Sequence, residues 1–535
     1  MQSRSRRRGV VAILTTTSVA AALAVATPAA ADHEGFPARL LERAVTVDEI
    51  LRHQLRFQAI ALANGGNRAA GTRGYDQSAQ YVFGQLRRAG YDVSYQPFEF
   101  PFFDELSDAE LEQISPDPTT YTLDEDFATM TFSGSGEVTA EVQGVDLQLP
   151  PSAEPNGSTS GCEDGDFVNF VPGNIALIQR GTCTFADKAV NADEAGASAV
   201  IIFNEGQEGR TETLQGTLGG PVVDIPVVGT SFEVGVDLAD PGTVARVKTD
   251  TESEIRTTSN VIAETPGGRA DNVVMIGAHL DSVISGPGIQ DNGSGSAAIL
   301  EVALQLADRP TVNKVRFAWW SAEELGLIGS TFYVDSLIET GELDDVALYL
   351  NFDMISSPNF MRGVYDGDGS SFGLVGPEGS AQIEAEFEAH FTNKGLPFQG
   401  TEFSGRSDYQ AFINNGIPSG GLFTGAEGLK TEEEAAIYGG VAGEQYDPCY
   451  HEACDSFTPI RDGADAELYA ALNADYPLVG NVNLEALNTN ADAIAHLTAK
   501  YAVSTASVTQ SAPAATTAAS NAGRPAPGMN GDVAA

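Results

Sequence analysis

Positive charge is scarce in this sequence: 29 lysines and arginines stand against 74 aspartates and glutamates, for a formal net charge of −45. A field of that sign repels phosphate backbones and anionic lipid, so nucleic acid is excluded as a partner and solubility is favoured. Histidine is rare too, with six in 535 residues, so a motif that holds one stands out. Cysteine is limited to Cys162, Cys183, Cys449 and Cys454. In an exported chain two pairs at short separations read as two disulfides, whereas four free thiols would suit a cytosolic protein. Beyond the N-terminal segment no apolar run is long enough to span a membrane. Tandem repeats are absent.

What is present begins with Arg4, Arg6, Arg7 and Arg8, an apolar run through Ala30 and three alanines ending at Ala31. Together these describe an export signal over residues 1–31 and a secreted mature chain starting near Asp32. A retained anchor is disfavoured, because Thr15 to Ser18 interrupt the apolar run that a span needs. Cleavage removes four arginines and no acid, taking the formal charge from −45 to −49.

A chain of 535 residues exceeds one ordinary core, so at least two folded units are expected. Apolar residues recur at helical spacing over Leu40–Leu62 and Ser78–Ala89, and Tyr91–Phe100 alternates like a strand. Residues 32–127 read as the first part of a main domain, and 128–250, with short β-like runs and Gly/Pro turns, as a β-rich insertion. Over 251–503 apolar strand, glycine-rich turn and helix alternate, which predicts an α/β fold with a mixed, mostly parallel central sheet flanked by helices. Residues 504–535 have almost no large apolar side chain and read as a disordered tail.

Metal-ligand residue types cluster after the predicted strands. They are Gly277-Ala278-His279-Leu280-Asp281 with Gln290-Asp291-Asn292-Gly293, then Ser321-Ala322-Glu323-Glu324, Asn351-Phe352-Asp353-Met354 and Cys449-Tyr450-His451. In open α/β sheets ligands bind at the carboxyl ends of strands. Each segment alone is weak, since strand-end carboxylates usually stay solvated or cap a helix. Their joint occurrence is the signal, because zinc sites take imidazole and carboxylate ligands and leave a position open for water.

The motifs GAHLDS, DNGSG, WWSAEELGLIGS, NFDMI, GRSDYQAF, GGLFTGA and PCYHEACDS resemble the di-zinc aminopeptidases, in particular the secreted bacterial leucine-aminopeptidase branch, over residues 67–98 and 260–502. The resemblance implies two zinc ions, with His279 and Asp353 on one, Glu324 and His451 on the other, and Asp291 bridging. A water shared by the ions would be the nucleophile and Glu323 its general base. Tyr450 would stabilise the oxyanion, Asp281 would hold the His279 ring, and Arg406, Met354 and Phe423 would bind substrate. The implied substrate is a peptide with a free N-terminus, with large apolar first residues preferred, cleaved by a monomer. A cis bond between Asp291 and Asn292 is implied as well.

An acidic stretch with Asp462, Asp465 and Glu467 stands where the small secreted relatives place a calcium-binding segment, and this departure keeps calcium from being carried over. The run from Ala176 to Gly206 resembles the protease-associated (PA) domain of secreted peptidases, which a Cys162–Cys183 pair suits; such a domain would gate or orient substrate, or serve as a purely structural lid. Other readings of the same fold are a carboxypeptidase, a glutaminyl cyclase or a non-enzymatic receptor-like homologue.

Overall fold

The structure is a computed structural model that describes residues 38–510. The expected export signal over 1–31 and most of the expected tail lie outside the described residues. Within them, no helix is long and apolar enough to cross a membrane.

The chain opens with helices Ala38–Ala44, Val47–Ala63 and Arg73–Ala89. Thr46 and Thr72 start the second and third by accepting the backbone N–H of Glu49 and Tyr75, and Gly90, at φ 96°, ends the third in the left-handed conformation that costs glycine nothing. A 24-residue strand, Asp92–Ser115, then pairs antiparallel with Val244–Glu264 along nearly its whole length. It continues well past Phe100, the end that alternation indicates. Pro97 and Pro101 are tolerated because the strand lies at a sheet edge, where a missing N–H breaks no second ladder.

The main sheet runs in the order Gln399–Thr401, Gly363–Tyr365, Ser419–Phe423, Val346–Phe352, Arg269–His279, Asn313–Trp320, Val244–Glu264. Its four central members are parallel to one another. Alternation along Val273–Ala278 sends Val274, Ile276 and Ala278 into one core with helices Gly293–Leu306 and Leu484–Val503, and Val273 and Met275 into the other with Ile328–Thr340 and Tyr409–Asn414. Two glycines permit close approaches here. A Cβ on Gly295 would lie 2.1 Å from the Phe352 carbonyl oxygen, and one on Gly277 would lie 2.3 Å from the Tyr349 hydroxyl.

The insertion holds strands Gly136–Gly144, Ile175–Gln179, Ala199–Phe203, Val227–Thr230 and Phe127–Thr129, with helices Phe185–Glu194 and Phe232–Leu238 against them. No break falls at residue 127 or 250. Ala109 and Leu111 pack in the insert's core and their strand pairs there with Val244–Ser253, so the two long strands run through both halves. Cys162–Cys183 and Cys449–Cys454 form disulfides. At the C-terminal end Ala506–Thr509 is a short helix with Val508 buried, so ordered chain extends past the expected start of the tail at Ser504.

Candidate metal centre

Three neighbouring parallel strands end at one edge of the main sheet, and parallel pairing brings their carboxyl ends together. His279 closes the strand Arg269–His279, Asp353 follows Val346–Phe352, and Glu323 and Glu324 sit in the turn after Asn313–Trp320. Asp291 precedes the helix Gly293–Leu306 across a cis bond to Asn292, as the resemblance implied. His451 comes from the turn braced by Cys449–Cys454. Ala322, Met354 and His451, all beside or within the set, hold φ of 56°, 49° and 60°, backbone strain of a kind that gathers at functional sites.

The side chains converge around the Asp291 carboxylate. Its Oδ1 is 3.2 Å from His279 Nε2 and its Oδ2 is 3.4 Å from His451 Nε2. His279 Nε2 is also 3.2 Å from Asp353 Oδ1, and His451 Nε2 is 2.9 Å from Glu324 Oε2. Glu323 stands slightly back, with Oε2 3.9 Å from His279 Nε2. Among the described residues, ligand atoms of His279, Asp291 and Glu324, and of His279, Glu323 and Asp353, form groups compact enough to hold a cation.

Asp281 differs from expectation. Its carboxylate is 3.8 Å from His279 Nδ1, beyond hydrogen-bonding range, and accepts the backbone N–H of Glu323 and Glu324 at 3.3 and 3.4 Å instead. The strand-end turn sets the Asp281 backbone carbonyl 3.2 Å from the ring nitrogen, so that carbonyl orients the imidazole while the carboxylate shapes the turn carrying both glutamates.

Charge is badly balanced here without a cation. Burial and the neighbouring Asp291 push Glu324 up to about 7, and burial raises Glu323 well above the usual range. For His451 burial works downward, but Asp291 and Glu324 override it and lift the imidazole to about 10. Glu324 Oε1 is buried without a hydrogen-bond partner. Carboxylates facing a buried imidazole, His279, and a part-exposed one, His451, with an orphaned oxygen among them, fit divalent metal ions of the zinc class.

Several supporting residues carry no signal of their own in the sequence. Trp320 Nε1 donates to the Tyr349 hydroxyl, which donates to Asn351 Oδ1; Asn351 Nδ2 donates to Ser407 Oγ, which donates to Asp353 Oδ2 at 2.6 Å. An indole can only donate and a carboxylate only accept, so the chain has one direction and leaves Asp353 Oδ1 for His279. Asp455 fixes Asp291 by accepting the N–H of Gln290 and Asp291 at 2.8 and 2.9 Å. Arg68, fully buried, donates to the carbonyls of Leu280, Pro287 and Gly288 that frame the site. Ser407 and Asp455 lie inside the quoted motifs and Arg68 inside the resembling segment, which was the available clue.

Above the cluster opens a cleft of about 260 Å³ with Met354, Met361, Phe423 and Tyr446 as apolar wall. Tyr450 stacks on His451 at 3.8 Å and its hydroxyl accepts from Arg406, which also pairs with Glu427. In the acidic stretch Asp465 caps the helix Ala466–Asp475 and Asp462 accepts the hydroxyls of Ser456 and Thr458.

Comparison with known proteins agrees with this architecture. The pattern of peptidase family M28 matches residues 260–476 and that of the PA domain residues 144–238. An "Aminopeptidase" of Pseudomonas aeruginosa is 47% identical over 468 residues, covering 87% of this chain and 82% of that one. A "Probable leucine aminopeptidase 2" of Aspergillus fumigatus is 42% identical over 450 residues, covering 83% and 80%. Among solved structures, an aminopeptidase from Aneurinibacillus sp. strain AM-1 superposes with a TM-score of 0.56 at 26% identity, over 87% of this chain and 95% of that one. A zinc aminopeptidase from Bacillus subtilis superposes with a TM-score of 0.53 at 25% identity, over 85% and 95%. Likeness of this extent, over most of both chains and through the strands that carry the cluster, makes the protein a member of peptidase family M28 with an inserted PA domain.

Proposed function

We propose that this peptidase is a secreted aminopeptidase that holds two zinc ions per chain and removes residues from the free N-terminus of peptides. The observation that carries the reading is the Asp291 carboxylate, with one oxygen toward the His279–Asp353 pair and the other toward the His451–Glu324 pair. His279 and Asp353 would hold one ion, His451 and Glu324 the other, and Asp291 both. When bound, such a pair lowers the pKa of water toward neutrality and polarises the scissile carbonyl.

The remaining work falls to the chain. Glu323, buried beside the cluster and outside the bridging set, takes the proton of the attacking water and passes it to the leaving amine. The Tyr450 hydroxyl accepts from Arg406, so its own proton is free to be donated to the oxygen on which charge develops. Glu323 and Asp353 face the substrate ammonium, and Met354 and Phe423 meet its first side chain. The apolar wall favours large apolar residues there.

A carboxypeptidase would need a free cation for the substrate carboxylate. Among the described residues lining the cleft, Arg406 is the only lysine or arginine, and Glu427 already pairs with it. The test is a panel of free, N-acetylated and C-terminally amidated peptides, with and without chelator. Cleavage confined to unblocked N-termini, lost on chelation and restored by zinc, is expected. Equal turnover of acetylated peptides would overturn the exopeptidase reading.

A further inference from the structure

Three side chains remote in sequence meet on the helical layer, and none of them lines the cleft. Glu42 comes from the helix Ala38–Ala44, His390 from Ser380–Lys394 and His496 from Leu484–Val503. One ring nitrogen of each histidine and one oxygen of Glu42 lie within 4.8 Å of one another. His496 Nδ1 is 2.6 Å from Glu42 Oε1, and the two imidazole rings stand 4.8 Å apart at 56°. His390 is 6% exposed, and its Nε2 is buried without a hydrogen-bond partner. A buried ring nitrogen left unpaired is unusual in a native protein and calls for a ligand.

We propose that Glu42, His390 and His496 form a further divalent-cation site of the zinc class, separate from the catalytic centre, which clamps the first described helix to the helical layer. Two imidazoles and one carboxylate are the donor set for zinc, cobalt or nickel, and a poor one for calcium or magnesium, which take oxygen. Zinc holds nitrogen at roughly 2.0–2.1 Å, so tetrahedral donors stand about 3.3 Å apart; separations of up to 4.8 Å must close by up to about 1.5 Å, and the 2.6 Å Glu42–His496 pair must open slightly. The His496 side chain is 33% exposed, which leaves room for water at the fourth position. Lys394 opposes a cation, with Nζ 3.3 Å from Glu42 Oε2, but Asp492 draws it away at 2.6 Å, and Glu42 Oε1 still faces His496.

The helix Ala38–Ala44 has seven residues and only Leu41 fully buried, too little to hold a helix of that length by itself. A cation joining it to two long helices would strengthen the attachment that Leu41 and the Glu42 ion pairs already provide.

The test compares zinc content and thermal midpoint in the full mature chain and two variants, each dialysed against zinc and freed of excess metal. His496→Gln and His390→Asn are expected to carry one zinc fewer than wild type and to unfold at lower temperature in zinc. Each should keep kcat/KM within about twofold, as changes distant from the cleft do. Equal zinc content in wild type and His496→Gln overturns the proposal. Loss of zinc together with loss of activity would place the missing ion at the catalytic centre and overturns it equally. His390→Asn removes a buried ring, so if it misfolds the partly exposed His496→Gln decides alone. The readout is a difference from wild type, so an error in the count assigned to the catalytic centre does not affect it.

Discussion

The main sheet and the inserted domain each end a set of parallel strands at one edge, yet the two edges are occupied in opposite ways. In the insert, the ends of Ile175–Gln179 and Ala199–Phe203 carry Gln179, Asn204 and Glu205. Gln179 donates to the Glu205 carbonyl, Asn204 to the Glu212 carbonyl, and Glu205 pairs with Arg210 at 2.9 Å. Glu205 Oε1 is left without a partner, but the one carboxylate there has a guanidinium of the same domain against it, so no acids are crowded together. At the main edge Asp291, Glu323, Glu324 and Asp353 face one another and two imidazoles. Topology alone therefore does not make a site. What marks it is polar chemistry that the fold leaves unbalanced, which a protein retains where function requires it.

The sharpest way to break the contrast is Glu323→Gln. It keeps shape and the neighbouring ligands, so metal content should stay at the wild-type level while kcat falls by about 10²–10⁴, the usual contribution of a positioned base. Retained turnover would remove Glu323 from the chemistry.

Removing metal should unbalance the main edge and leave the insert untouched, and in the His496→Gln background the effect comes from the main edge alone. With free ion at ~100 times its dissociation constant, binding stabilises by about 2.7 kcal/mol, which corresponds to about 3–4 °C in a domain of this size. Calorimetry with and without chelator is expected to show that drop. An unchanged midpoint would mean that the acidic cluster is not a metal site.

A smaller effect follows from Ser407→Ala, which frees Asp353 Oδ2 and leaves Asn351 Nδ2 without its acceptor. Loss of such a partner typically costs about 10–100-fold in metal affinity, measurable by competition with a zinc indicator. Affinity within twofold of wild type would make the relay from Trp320 incidental.

The smallest prediction concerns the insert. Lys188 is fully buried, donates to the Ser160 carbonyl, and is pushed by burial down to about 8 despite Asp166 and Glu205. Between pH 8 and about 10.5 the unfolded chain then binds the proton that the folded chain has lost, so this residue's contribution to stability rises with pH across that window. Below pH 8 both states are protonated and the penalty is full. Lys188→Met should flatten this slope in denaturant unfolding at fixed pH values, with catalysis unchanged. An undiminished slope would assign it to other groups.

How much was legible in sequence differs between the same two regions. Strand-end motifs revealed the main sheet because each apolar run stops abruptly at a polar residue that a glycine or small residue accompanies, as in Gly277 to His279. The helices Val47–Ala63 and Arg73–Ala89 were readable from apolar residues recurring at helical spacing, while their threonine caps were not singled out. The continuous strand Asp92–Ser115 was not, because two prolines and the acids Asp104, Glu105 and Asp108 look like a turn until its edge position is known. Nor could sequence tell that the Asp281 carbonyl, and not its carboxylate, meets His279, since that choice is set by the turn's geometry. Ser407, Asp455 and Arg68 act through tertiary partners that no local pattern reveals.

The central claim is that Asp291 is shared by two cations. Anomalous diffraction at the zinc edge, on crystals of the zinc-loaded chain, tests it directly. Two peaks about 3.5–4 Å apart, one on each side of the Asp291 carboxylate, are predicted. A single peak between His279 and Asp353 with none beside His451 and Glu324, or two peaks too far apart for one carboxylate to touch both, would contradict it.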